Sequence, residues 1–557
     1  MGDKIRILPL GGLDEIGKEC TVVEINGDIF VVNCGLRYPD RTMPGIDYVI
    51  PRSDYLVENK DRIRGYFLLH GHDDVTGGLA YIYKDAPATI YGSRATVTMF
   101  KIFTSHIGAD PKQYKFQVVP ASGEFSVAGR KMVFFHTAHN IADSSGLAIP
   151  TSYGNIVFTG DYVVENAAQP SYLHDMNAIA KLAETPTLAL LSESVYADKP
   201  GYTAPRYKLT PLVEESFKNA TGRIFVSIFS DNFYNIDEII KLAKATRRKI
   251  IPYDATTKSI WEAMVESGHL IVPKENIASM DDVLRFRDAD LIILICGFGA
   301  RLFNKIAILA SGNQEDKRIK LKPEDTFIVA SPSDDYTSIE ATDAVDELYR
   351  SGCHVTHING KKLLDMHASE EDLKMMISLL KPKYYIPVNG FYKELLKNAQ
   401  VALSMGLNLS HQNVFLLENG TSLLIDEKGA RLVDEDIPHG DIMIDGIGVG
   451  DVTAKAIEDR QKLSDGVVVL AVTLSKKRKK IIAGPDVQMR GFVFNKDADS
   501  LLKETGRMFV STINDFLKDG PYNIDEIKQN VYEKCLRNIR RQTGKEPMVL
   551  PLIIEVE

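Results

Sequence analysis

Cysteine is scarce in this chain and is not spaced for structural chemistry. Five cysteines stand at positions 20, 34, 296, 353 and 535, with no CxxC pair among them. That pattern argues against a structural zinc module and a disulfide framework, and fits a reducing compartment. No run approaches the roughly 20 apolar residues that a membrane-spanning helix needs. The start, Met1-Gly2-Asp3-Lys4-Ile5-Arg6, runs into a strand-like segment without the apolar stretch of a secretory signal. A cytoplasmic protein with no membrane span is expected. Excess positive charge is missing as well: the formal net charge is −9. This disfavours a general nucleic-acid coat, whose affinity rests on many phosphate contacts, but leaves room for a local basic channel. Tryptophan occurs once, yet 23 Phe and 23 Tyr supply aromatic core material. Neither internal repeats nor low-complexity tracts occur, and disorder over most of the length is not expected.

What is present is a long chain with two rhythms. At 557 residues it exceeds what one hydrophobic core normally serves, so two to four domains are expected. The first 200 residues read as short strands joined by loops, at Ile5–Leu10, Cys20–Ile25, Ile29–Asn33, Gly65–Leu69, Lys131–His136, Asn155–Thr159 and Thr187–Ser192, with few long amphipathic helices between them. From about residue 206, strand candidates at Arg223–Phe229, Lys249–Tyr253, Asp290–Cys296 and Thr326–Ser331 alternate with helical stretches. Such βα alternation predicts a mostly parallel sheet covered on both faces. A helix at Ser369–Leu380, a strand at Tyr384–Val388 and a helix at Phe391–Ser404 fit either domain. A polar stretch from about Asp426 to Gly450 reads as a linker. Beyond it a hairpin near 466–483, two helices and a last strand form an α+β unit.

The chemistry concentrates in Leu68-Leu69-His70-Gly71-His72-Asp73-Asp74-Val75, where an apolar strand ends in His-x-His-x-Asp. Imidazole and carboxylate donors this close on one loop converge on a metal cluster. Imidazole suits Zn, and carboxylate extends the choice towards Mn or Mg. A lone histidine pair would have a structural reading instead; the added Asp weighs against it.

This stretch resembles the metallo-β-lactamase superfamily, whose hallmark is His-x-His-x-Asp-His. Asn33-Cys34-Gly35 stands where the family has Asp-x-Gly, His139 matches the third motif, and Asp161 in Phe158-Thr159-Gly160-Asp161 matches the bridging Asp. His136 has no counterpart and is expected to pack a loop or face solvent. Later blocks narrow the resemblance to the β-CASP branch and to the ribonuclease J family. They are Leu190-Leu191-Ser192-Glu193-Ser194, His367-Ala368-Ser369-Glu370-Glu371-Asp372, Lys381-Pro382-Lys383-Tyr384-Tyr385-Ile386-Pro387-Val388-Asn389-Gly390, Ile444-Asp445-Gly446-Ile447-Gly448-Val449-Gly450-Asp451, Gly484-Pro485 and Arg490-Gly491-Phe492-Val493. The resemblance spans nearly the whole chain. It implies an α/β fold: a metallo-β-lactamase αββα sandwich (1–205 with 356–430), an inserted β-CASP parallel-sheet domain (206–355), a linker (431–450) and a C-terminal α+β oligomerisation domain (451–557).

The resemblance also implies two metals bridged by Asp161. One is held by His70, His72, His139 and Asp161, all present. The other needs Asp74, the next-residue His and the His of a Pro-Val-His-Gly sequence, and those two positions are Val75 and Asn389. Valine has no lone pair to donate and an amide oxygen is a weak ligand for a Zn-like ion. One Zn or Mn ion per chain at most is expected. Asp74, Glu193 and His367 are the implied catalytic residues. The phosphate-binding run has drifted too, with Asp365 and Met366 in place of Ser and Gly, and two further runs are reduced at Cys296–Leu302 and Asp231–Asn235.

Two functions follow. The first is a weakly active or inactive RNA-processing and mRNA-decay subunit, resembling the degenerate second paralogue of some Gram-positive bacteria and paired with an active paralogue or with itself as a dimer or tetramer. The second is a working metal-dependent 5′-3′ exoribonuclease and endoribonuclease. Hydrolysis of small thioesters or lactams is disfavoured by the inserted and C-terminal blocks. The basic run Lys476-Lys477-Arg478-Lys479-Lys480 is expected to be a solvated turn rather than an RNA contact, and Arg537, Arg540 and Arg541 likewise.

Overall fold

A computed structural model describes every residue except 1, 41, 166–169, 334–336, 434, 447, 450–453, 492–497 and 519–520. Parts of two sequence blocks, Ile447 with Gly450-Asp451 and Phe492-Val493, therefore lie outside the described residues. The chain divides into two compact units, Met1–Tyr38 with Tyr48–Ile442, and Pro39–Asp47 with Met443–Glu557.

In the larger unit two mixed sheets face each other. One runs Gly429–Val433, Ser422–Asp426, Ile5–Gly11, Cys20–Ile25, Asp28–Val32, Ile63–Phe67, Ile90–Gly92, Phe116–Val118. The other runs Tyr384–Val388, Thr187–Glu193, Gly154–Phe158, Ser145–Thr151, Arg130–His136, Gly123–Val127. Ile7, Val23 and Phe30 from the first interdigitate with Phe134, Leu147 and Leu191 from the second. The outer face of the second sheet is covered by helices Met176–Leu182, Glu370–Leu380 and Tyr392–Ser404 through Ile179, Met376, Ile377 and Ala402. Because both faces are covered, the strand Thr187–Glu193 is buried at every position, and its apolar run Leu188–Leu191 shows no in-out alternation.

The sequence reading needs three changes here. Arg94–His106 is a thirteen-residue helix in a stretch expected to hold few; Ser93 caps it by accepting from Thr96 N, and Ala95, Met99, Phe100 and Phe103 form its buried stripe. Its Val and Thr content obscured the helical period. Tyr384–Val388, left between two domains, pairs in parallel with Thr187–Glu193 and so belongs to the sandwich. Gly429–Val433 pairs with Ser422–Asp426 and carries strand structure into the stretch read as a linker.

Between residues 224 and 357 the chain forms a parallel five-stranded sheet, in the order Lys249–Pro252, Leu291–Gly297, Ile224–Phe229, Thr326–Val329, His354–His357. Helices including Phe233–Thr246 pack one face, and Gly299–Ala310 with Ser338–Ser351 the other. The smaller unit holds a three-stranded sheet, Lys480–Arg490, Val467–Ser475, Met548–Val556, with helices Ala498–Lys518 and Ile524–Thr543 packed on one face through Phe509, Ile513, Val531 and Ile539. The run Lys476–Lys479 is an exposed turn, as expected.

Candidate metal centre

Five strands end at one place. His70 and His72 follow Ile63–Phe67, His139 follows Arg130–His136, Asp161 follows Gly154–Phe158, Glu193 ends Thr187–Glu193, and Asn389 follows Tyr384–Val388. Backbone bonds then fix the loops against one another. Glu19 N donates to Asp74 O (3.1 Å), Cys34 N to Val75 O (2.8 Å), Asn389 N to Gly12 O (3.1 Å) and Ser194 N to Asn389 O (3.0 Å). Gly35 is required by this packing, since a Cβ there would lie 1.5 Å from Asp74 O.

One side of the site is rich in nitrogen. His70 Nε2 and His72 Nδ1 are 3.1 Å apart, and His139 Nε2 is 3.4 Å from the same His72 nitrogen. Asp161 Oδ2 stands 3.9 Å from His70 Nε2 and 3.8 Å from His139 Nε2. His139 Nδ1 donates to Met366 O at 2.7 Å, which leaves its Nε2 as the lone-pair atom. Three imidazoles that face one another and a carboxylate oxygen with no hydrogen-bond partner suit a Zn- or Mn-class ion. The residues present fit such a group.

The other side is rich in oxygen. Asp74 lies beside Asp161, and Glu19 joins them: one carboxylate oxygen from each falls within 4.8 Å of the others. Glu19 was missed by the sequence reading. Its signal is indirect, because Asn33 replaces a family Asp, and Asn33 Nδ2 donates to Glu19 Oε2 at 2.7 Å. The acid absent from position 33 reappears across a hydrogen bond. Val75 is fully buried and contributes only backbone. Asn389 Nδ2 donates to Asp161 Oδ1 at 3.0 Å, and its Oδ1 is buried without a partner. Asn389 sits at φ 53°, a left-handed conformation Asn tolerates better than most residues.

Glu193 bonds to three of its neighbours. Its Oε1 accepts from Tyr162 N (2.7 Å) and Ala368 N (3.0 Å), while Oε2 pairs with His367 Nδ1 at 2.7 Å. His367 Nδ1 is also 3.7 Å from Asp161 Oδ2. The residues predicted from sequence, His70, His72, Asp74, His139, Asp161, Glu193 and His367, thus share one site. Asp73 stands off, its Oδ2 taking the Tyr38 hydroxyl at 2.8 Å. His136 packs a loop, with Nδ1 on Leu173 O.

The electrostatics divide along the same line. Burial first, then neighbouring imidazoles, hold His70 and His139 well below the usual range. Burial and His367 bring His72 to about 3. Burial alone would lower His367, but Glu193 and Asp161 hold it up at about 10. The carboxyls move the other way: burial, then Asp161 and Asp74, pushes Glu19 well up. Burial and Asp161 raise Asp74 to about 8, and burial raises Asp73 to about 7. Asp231, from the parallel-sheet segment, is raised to about 6 by burial and adds to the negative field at Asp73 and Asp74. Neutral imidazoles and crowded carboxyls are the state a cation would relieve.

In the drifted run, Met366 is buried and offers its carbonyl to His139, while Asp365 N donates to the Tyr196 hydroxyl oxygen at 3.2 Å. Arg248, just past the end of the helix Phe233–Thr246, is buried with its guanidinium on the carbonyls of Ala220, Gly222 and Leu291.

Comparison with known proteins places these features. Residues 221–336 match the ribonuclease J β-CASP domain and residues 455–556 the ribonuclease J C-terminal domain. Proteins named Ribonuclease J 2 from Staphylococcus epidermidis (strain RP62A) and Staphylococcus aureus (strain NCTC 8325) are each 31% identical over 553 residues, 99% of this chain and 98% of theirs. A crystal structure of a protein of unknown function from Enterococcus faecalis V583 covers 76% of this chain and 100% of its own, with a TM-score of 0.52 at 15% identity, a likeness of fold alone.

Proposed function

Since the chain belongs to the ribonuclease J family, with its metallo-β-lactamase and β-CASP fold, we propose that it is an RNA-processing and mRNA-decay subunit with a degenerate metal centre and weak or absent hydrolytic activity. The observation that carries this reading is the pair Val75 and Asn389. An aliphatic side chain and an amide stand where two imidazoles would complete the second ion's ligands. The amide donates to Asp161, whose resemblance-implied role is to bridge both ions. His70, His72, His139 and Asp161 would hold a divalent ion, which would supply Lewis acidity towards a phosphodiester. On this reading Asp74 and His367 flank the reacting phosphate and Glu193 holds His367 in place. Asp231, Asp365 and Asp73 put negative charge around the approach of an RNA 5′ phosphate, which weakens its capture.

The reading includes action beside an active paralogue, or as a dimer or tetramer, in the cytoplasm. Among the described residues no helix is long and apolar enough to cross a membrane. A regular apolar stripe supports assembly: Leu550, Leu552, Ile554 and Val556 alternate along Met548–Val556 and are exposed on the sheet face away from the helices. The boundaries 1–205 with 356–430, 206–355, 431–450 and 451–557 belong to the same proposal, supported by matches at 221–336 and 455–556.

Hydrolysis of 5′-monophosphorylated RNA with Mn2+ or Zn2+, beside an Asp161→Ala control, tests it. Turnover close to background in both proteins is expected. Robust turnover abolished by Asp161→Ala would replace this reading with that of an active exoribonuclease and endoribonuclease, which the intact His70, His72, His139, Asp161 and Asp74 favour.

A further inference from the structure

The loss of two imidazoles leaves oxygen donors behind, and their arrangement is not that of a vacated site. We infer that Glu19, Asp74 and Asp161, with the Asn389 side-chain carbonyl, form an oxygen-only site for a hard divalent cation of the Mg2+, Mn2+ or Ca2+ class, next to the histidine site. The inference rests on the family reading above, which it deepens by assigning the altered half of the centre a different ion.

Three observations carry it. First, one carboxylate oxygen from each acid lies within 4.8 Å of the other two, so some point lies within about 2.8 Å of all three. Oxygen ligands stand at about 2.0–2.1 Å from Mg2+ and 2.3–2.6 Å from Ca2+, which side-chain shifts of under about 1 Å reach. Second, each of these residues has a buried oxygen without a partner. Glu19 Oε1, Asp74 Oδ1, Asp161 Oδ2 and Asn389 Oδ1 are all buried with no hydrogen bond, although Asn389 as a residue is only 3% exposed. A buried oxygen left without a partner is costly, so this group of four calls for an occupant. Third, there is room beside Glu19, Asp161 and Asn389. A cavity of about 30 Å3, enough for one water-sized occupant, is lined by these three with Asn33 and Glu193, and Asp74 lies outside its lining.

The supporting shell is in place. Asn33 Nδ2 holds Glu19 Oε2, and Asn33 Oδ1 accepts from Leu69 N at 3.1 Å, which fixes the amide's orientation. Glu19 and Asp74 are joined through their backbones. The adjacent cation, Lys18, is engaged elsewhere, pairing with Glu15 and Asp441. The donor types select the ion: carboxylate and amide oxygens suit Mg2+, Mn2+ and Ca2+, whereas the three imidazoles suit Zn2+. The Asn389 amide offers two faces, Nδ2 towards Asp161 or, after a half-turn, Oδ1.

Full-length protein carrying one equivalent of Zn2+ would be titrated with Mn2+ and followed by electron paramagnetic resonance. The expected result is one Mn2+ per chain, displaced by Mg2+ or Ca2+, without the 14N coupling that imidazole ligation gives. Glu19→Gln should weaken Mn2+ binding at least tenfold while keeping the wild-type unfolding temperature and Zn2+ content, and Glu19→Asp should lie between. No Mn2+ binding by the wild type, imidazole 14N coupling, or unchanged affinity in Glu19→Gln would each overturn the inference; the first would mean that protons, not a cation, reconcile these carboxyls. RNA turnover on the same samples separates the two readings. Fast turnover with Mn2+ bound sinks the weak-activity reading and leaves the site standing. Negligible turnover with no Mn2+ bound does the reverse.

Discussion

Asn389 and Asp161 are joined by a 3.0 Å hydrogen bond, from amide Nδ2 to carboxylate Oδ1, across the mouth of the strands that carry them. A histidine there would present a lone pair to an ion; the amide presents a proton to the carboxylate itself. Restoring the imidazoles should therefore change metal stoichiometry before anything else. The double substitution Val75→His/Asn389→His is expected to take up a second Zn2+ equivalent and raise RNA hydrolysis at least tenfold. His is among the residues that tolerate the left-handed backbone at 389. Metal analysis and a phosphodiester assay check it; a second Zn2+ bound with no gain in rate would place the defect in the drifted phosphate pocket.

Asp143 sits between His136 and His269, with His269 Nε2 at 2.7 Å. Burial alone would raise its carboxyl, but the two imidazoles more than offset this and hold it well below the usual range. A lowered carboxyl pKa contributes stability above the unfolded value of about 3.9 and loses it as pH falls through the folded value. Asp143→Asn is thus expected to lower the unfolding temperature at pH 7, with a difference from wild type that begins to shrink only as the pH falls below about 4. Melting curves across that range would show parallel, non-converging profiles if the pair carried no linkage.

Arg223 and Asp325 form a buried bidentate pair, Nε to Oδ1 at 3.0 Å and Nη2 to Oδ2 at 2.5 Å, at 3% and 0% side-chain exposure. They clamp the starts of neighbouring parallel strands at Ile224 and Thr326. Asp325→Ala strands a buried guanidinium, and a loss of about 3–5 kcal/mol is expected. Denaturant unfolding measures it; a loss under about 1 kcal/mol would mean water reaches the pair.

Leu552 and Ile554 are 50% and 57% exposed on the outer face of the C-terminal sheet. Leu552→Asp/Ile554→Asp should leave folding intact and reduce the molecular mass in solution, read by light scattering alone and in mixtures with a ribonuclease J paralogue. Unchanged mass in both would remove this face from any assembly.

Much of the site was legible because it is local. His70, His72, Asp74 and Val75 fall within six residues, and the strands expected at Cys20–Ile25 and Tyr384–Val388 stand at those bounds. The helix Arg94–His106 escaped because β-branched residues blur the 3.6-residue period, and Gly429–Val433 because a half-exposed edge strand has little apolar signal. Glu19 escaped for a different reason. Nothing around Gly17-Lys18-Glu19-Cys20 distinguishes a ligand from a surface acid.

The sequence by itself determined the donor inventory: which positions carry imidazole, carboxylate, amide or nothing, with valine at 75 and asparagine at 389. Only the tertiary structure decided which of these donors meet. It brought Glu19, some 55 residues from Asp74 and 142 from Asp161, to the same point by closing two sheets over one set of strand ends. Lone pairs are fixed by residue type, but whether they converge is fixed by packing.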